Sequence, residues 1–145
     1  MAANWSSNPS LPGATDTASV SSDLTASVTG AQGPTTLSNA GTVTITNNSG
    51  LGLLGTNVNN GVINLQSVGN NANLSFSGIA ALNGSGTVNM SNSSVNRILG
   101  VGATTLSIGA GQTIQGAGRI GAGTAMALIN NGTIVSTLSG LFINS

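Results

Sequence analysis

From Leu37 onward, apolar side chains occupy every second position in short runs, and each run is bounded by a Gly or Asn-Gly turn. The clearest copies are Gly41-Thr42-Val43-Thr44-Ile45-Thr46, Gly61-Val62-Ile63-Asn64-Leu65, Gly86-Thr87-Val88-Asn89-Met90 and Gly132-Thr133-Ile134-Val135. A period of two places Val and Ile on one face and Thr or Asn on the other, the pattern of a half-buried strand. Asn73-Leu74-Ser75-Phe76, Thr105-Leu106-Ser107-Ile108 and Gln112-Thr113-Ile114-Gln115 predict further strands. No window repeats apolar residues at helical spacing, and Gly interrupts almost every candidate helix at a cost of about 1 kcal/mol each.

Corners between strands need positive φ, which Gly adopts freely and Asn tolerates. Asn59-Asn60-Gly61, Asn83-Gly84, Gly109-Ala110-Gly111 and Asn130-Asn131-Gly132 read as such corners, and so does Gly116-Ala117-Gly118. Strand starts of the form Gly-x-β-branched fall at 41, 61, 86, 118 and 132, leaving uneven gaps of 20, 25, 32 and 14 residues. Coils of about 20 residues, each holding two or three short strands, predict an all-β, right-handed parallel β-helix of about seven coils. Its length would be on the order of 35 Å. The inward positions would be Val43, Ile45, Ile63, Leu65, Leu74, Phe76, Val88, Met90, Leu106, Ile108, Ile114, Ile120 and Ile134. Residues 1–35, with Trp5 and Pro9, Pro12 and Pro34, read as an N-terminal cap in which Trp5 is the candidate lid, and residues 36–145 as the solenoid.

Composition supports stacking. Ser, Thr, Asn and Gly fill 78 of the 145 positions, whereas charged residues make up 3% and aromatics 2%. Equivalent positions of successive coils lie about 4.8 Å apart, so like charges would form repulsive ladders while Asn, Ser, Thr and Val stack well. A sandwich of this size would bury more aromatic side chains. Disorder fits poorly, because mean hydropathy is +0.29 and apolar residues recur regularly.

The charge count removes whole classes of function. Two Arg and no Lys cannot neutralise a row of phosphates, which argues against nucleic acid. The longest apolar stretches, Leu51–Leu54 and Ala125–Ile129, are far too short for a membrane span. His, Cys, Lys, Tyr and Glu are all missing, so general acid-base and nucleophilic chemistry has only Asp16 and Asp23 to draw on. These two read as solvated or turn-forming carboxylates, giving no expected catalytic residue and no enzyme activity. With no His, Cys or calcium-binding repeat, neither a metal nor a cofactor is expected. Arg97 and Arg119 read as groups held against backbone carbonyls at a corner or as solubilising charges, with contact to an acidic partner as the other reading.

Family resemblance rests on particular runs. Asn4-Trp5-Ser6 followed by Leu11-Pro12-Gly13-Ala14-Thr15-Asp16-Thr17-Ala18-Ser19-Val20 resembles the opening of large β-strand-repeat proteins exported by bacteria. The body, above all residues 84–134 with Gly84-Ser85-Gly86-Thr87-Val88-Asn89-Met90 and Ile129-Asn130-Asn131-Gly132-Thr133-Ile134, resembles autotransporter-passenger and filamentous-haemagglutinin-like domains. The resemblance implies a right-handed parallel β-helix in an extracellular or cell-surface stalk, filament or adhesin. Met1 to Trp5 lacks the basic start and apolar stretch of a secretory signal, so the export signal is expected outside this chain. Near-zero net charge and solenoid ends without gatekeeper charges predict self-association, head-to-tail or lateral. The other function considered is a binding module for a glycan or ice surface, with Thr42, Thr44 and Thr46 as its candidate polar face.

Overall fold

The computed structural model describes residues 13–122 and 125–144. Trp5, expected as a lid, lies outside the described residues. Among the described residues, twelve strands form one continuous parallel ladder and no helix occurs. Short four-residue strands, β2 (Thr25–Val28), β4 (Thr42–Ile45), β6 (Val62–Leu65) and β8 (Thr87–Met90), stack on each other in order. Between them run long strands, β3 (Ala31–Asn39), β5 (Ser49–Asn59), β7 (Ala72–Asn83) and β9 (Asn96–Ile108), which stack likewise. The chain is a parallel β-solenoid: each coil comprises one short strand and one long, bent strand.

The bend divides each long strand into a first and a second limb. Pairing of β5 with β7 shifts register after Leu54, and pairing of β7 with β9 shifts after Ser77. Gly55, Gly78 and Gly102 follow directly on the paired residues Leu54, Ser77 and Val101, with φ of 59°, 65° and 67°. A left-handed backbone at the same point of each coil turns the strand, and a side chain there would be strained.

The first and last coils assign the same three faces to differently cut strands. β1 (Thr17–Val20) pairs with the second limb of β3. β10 (Thr113–Ile120) stacks on β8 through Thr113–Gly116 and then on the first limb of β9 through Arg119 and Ile120. β11 (Met126–Asn130) covers the second limb of β9, and β12 (Thr133–Ile143) covers both parts of β10.

Register fixes the coil length. Thr25, Thr42, Val62, Thr87, Thr113 and Thr133 are equivalent, so successive coils take 17, 20, 25, 26 and 20 residues. The solenoid therefore makes about five turns and not the seven expected, because the register steps from Thr25 to Thr133 number only five and the corner loops lengthen two of them to 25 and 26 residues. Its axial length is correspondingly about 25–30 Å. Gly118 is not a coil start: that start is Gln112-Thr113, and Gly118 follows the corner at Ala117 where β10 passes from one face to the next. The expected boundary between cap and solenoid at residue 35 falls within β3, and Ala18, Val20, Ala26 and Val28 of the first coil already belong to the core.

Of the thirteen positions expected to face inward, twelve are buried, and Ile134 is half-buried against the same core. Leu53, Leu74, Phe76 and Ile98 are fully buried on the first limbs, and the column Ala26, Val43, Ile63, Val88, Ile114 and Ile134 lines the short face. Polar residues close the corners from inside. Asn39 Nδ2 donates to Asn59 Oδ1 at 2.8 Å, Asn59 Nδ2 to Gln112 Oε1 at 3.1 Å, and Gln112 Nε2 to the carbonyls of Asn59 and Asn83 at 2.6 and 3.0 Å. Asn83 itself points outward, and the longer side chain of Gln112 bridges the rung it leaves empty. At the opposite corner Asn96 donates to the carbonyls of Ser91, Ser93 and Ala117 and accepts from Ser67 N–H, tying three coils together.

Candidate functional site

The alternation that buries Val and Ile on each strand presents their neighbours on the outside, so any site must be built from axial columns of outward residues. On the short face the first column reads Thr25, Thr42, Val62, Thr87, Thr113, Thr133 and the second Ser27, Thr44, Asn64, Asn89, Gln115, Val135. In the second, Gln115 Nε2 donates to Asn89 Oδ1 at 2.8 Å and Asn89 Nδ2 to Asn64 Oδ1 at 3.4 Å, an amide ladder along the axis.

Thr42 and Thr44 stand half-buried on this face. Thr46 does not complete the array, because its hydroxyl donates to the Val28 carbonyl at 3.0 Å and lies 3.0 Å from Ser49 Oγ at the corner. The threonine order thus runs along the axis, from coil to coil, and not along one strand. Five of six rungs carry Thr in the first column, a feature hidden in a sequence whose coil length varies.

On the first limb the outward column reads Gly50, Asn73, Arg97, Arg119, Phe142. Arg97 and Arg119 therefore stand on adjacent rungs of one face and not at corners. Neither guanidinium hydrogen-bonds or pairs with a described residue. Asn73 Oδ1 is buried without a partner, and Phe142 is 59% exposed. Beside this column, Gly33, Gly50 and Gly52 leave a depression of about 410 Å³ that continues over Asn73 and Ser75 to Leu99. A second depression, of about 570 Å³, surrounds Ile79, which is 87% exposed, with Thr105 and Met126.

No family model matches the chain, no curated protein is similar to it, and no solved structure matches it. Its chemistry has to be read from its own residues. Asp16 forms a turn in which its carboxylate accepts from Gly13 N–H at 2.8 Å, and Asp23 lies in the turn between β1 and β2. Among the described residues no three His, Cys, Asp or Glu side chains gather where a metal could bind, and no helix is long and apolar enough to cross a membrane.

Proposed function

We propose that the chain is a structural rod, a stalk or fibre segment of a bacterial cell-surface or extracellular protein that adds length and rigidity and performs no catalysis. The observation that carries this reading is the unbroken parallel ladder. Each inner coil hydrogen-bonds the coils on both sides, and polar corner residues such as Asn59 and Asn96 span two or three coils at once. Such a stack resists bending because rungs paired along the backbone are tied again at the corners by Asn39, Asn59, Gln112 and Asn96.

The terminal rung supports head-to-tail association. β12 has no rung upon it among the described residues, and Val135, Leu138, Phe142 and Ile143 are exposed along it. An uncovered strand edge with apolar side chains is a template for another parallel rung, which a second copy of the chain would supply. Electron microscopy of the purified chain, with its mass followed by light scattering across a concentration series, tests both parts. Rods or short filaments whose mass grows with concentration are expected. A monodisperse monomer at high concentration removes the association, and flexible or amorphous particles remove the rod.

The Thr column favours a second reading, in which the short face meets a regular surface such as ice or a glycan. Hydroxyls on successive rungs at Thr87, Thr113 and Thr133, about 4.8 Å apart, could match an ordered lattice. Thermal hysteresis or ice-affinity partitioning, lost in a Thr87→Lys/Thr113→Lys variant, is the expected sign. A native chain lacking both hysteresis and glycan binding excludes it.

A further inference from the structure

We infer that the outward face of the first limb binds an acidic oligosaccharide whose carboxylate or sulfate groups are received by Arg97 and Arg119. These are the only two cations in 145 residues, and the register brings them side by side, Arg119 directly on Arg97. Stacked one rung apart, about 4.8 Å, they repel each other unless an anion is shared between them. The Asp residues cannot serve. Asp16 and Asp23 sit in the first coil, and no ion pair forms among the described residues. Two guanidiniums present several N–H donors in planar arrays that match a carboxylate or sulfate.

The rest of the column supplies what a sugar ring needs. Asn73, next to Arg97, is half-buried on the wall of the depression, where its amide lies beside the path of a sugar ring. Phe142, next to Arg119, offers an exposed aromatic face for the apolar side of a sugar. The depression of about 410 Å³ beginning at Asn73 runs along the axis towards Gly50 and Gly33, giving room for further residues of a linear chain. Two cations are too few for a nucleic acid, whose affinity rests on many phosphate contacts. An acidic peptide adding itself as a strand needs an open edge, and at Asn73, Arg97 and Arg119 the backbone is already paired on both sides.

The test is isothermal titration of the full chain with tetragalacturonate, a sulfated heparin tetrasaccharide, neutral maltotetraose and sodium sulfate. At least one acidic sugar is expected to bind and the neutral one not, and the arm that binds tells carboxylate from sulfate. R97Q/R119Q should weaken binding by about tenfold or more with an unchanged circular dichroism spectrum. F142A should weaken the tetrasaccharide but leave sulfate binding as it was. The inference fails if neither acidic sugar binds at millimolar concentration, if maltotetraose binds equally well, or if the double variant binds like the native chain. It fails as a saccharide site if an acidic peptide or phosphatidylglycerol vesicle binds as tightly. The outcomes for Arg97 and Arg119 do not depend on whether the rods associate, because β12 already covers the rung of Arg119.

Discussion

The middle coils and the last rung are written in the same alternating pattern and end up in different environments. In β5 the outward and inward positions differ sharply, with Leu51, Leu53, Asn57 and Asn59 buried and their neighbours half-buried or exposed. In β12 the run Thr133-Ile134-Val135-Ser136 places Ile134 at the inward position opposite Ile114, yet Ile134 is only half-buried, and Val135 and Phe142 are exposed. The difference lies in the neighbours. A middle strand has a rung on each side and an end strand has one, so burial in this fold is supplied axially. Alternation in sequence selects the face, and stacking decides how much water is excluded.

The largest effect should come from an aromatic ring of the middle set against one at the end. Phe76 is fully buried in β7 between β5 and β9, so Phe76→Ala should lower unfolding free energy by about 3–5 kcal/mol in urea titration. Phe142→Ala should cost less than about 1 kcal/mol, because its ring is already largely hydrated. Equal losses would mean that another rung covers β12 in solution.

Corner amides give the next contrast. Asn59→Ala removes the closer acceptor of Asn39, which keeps only the Val62 carbonyl at 3.2 Å, and leaves the buried Gln112 Oε1 without its donor, and should cost about 3 kcal/mol. Asn83→Ala, at the rung whose side chain faces water, should change stability by about 0.5 kcal/mol or less. The same denaturant midpoints measure both.

How much of this was legible follows from which signals are local. Strand identity and the inward face depend only on alternation, so Ile63, Leu65, Phe76 and Val88 were readable. Coil length depends on corners, and there one substitution misleads: Gln112 stands where other coils have Gly41, Gly61, Gly86 and Gly132, so a search for Gly-x-β-branched starts lands on Gly118 instead. The first coil carried a readable signal in the repeated Thr-Ala-Ser-Val of β1 and β2, obscured by the prolines nearby. The Arg pair and the Thr column are products of register alone. Arg97 and Arg119 become neighbours only once the coil between them is known to take 22 residues.

Glycine at the coil start probes how freely a rung can shift. A Cβ on Gly61 would run into the carbonyl oxygen of Gly41, and one on Gly132 would lie 2.5 Å from the carbonyl oxygen of Gln112. Both clashes are with the preceding coil. Gly61 sits in a coil held from both sides, so relief moves its successor too, and Gly61→Ala should cost about 2 kcal/mol. The last rung can lift away, and Gly132→Ala should cost about 1 kcal/mol or less. Thermal unfolding followed by circular dichroism ranks the two.

The smallest and cleanest comparison uses one residue type in one column. Ile114 and Ile134 are register partners on the inward side of the short face, and they differ in the rung above: β12 covers Ile114, and no described strand covers Ile134. Removing one methyl from Ile114 opens a gap that neighbours on both sides cannot fill, so Ile114→Val should cost about 1 kcal/mol. At Ile134 the same methyl is partly wet, and its loss forfeits transfer energy only in proportion to the area it buried, about 0.5 kcal/mol or less. The order must reverse or vanish if the end rung is covered in solution. Measuring both variants at low and at high protein concentration therefore reads stability and association together: a penalty at Ile134 that rises with concentration towards that at Ile114 means a second copy has supplied the missing rung.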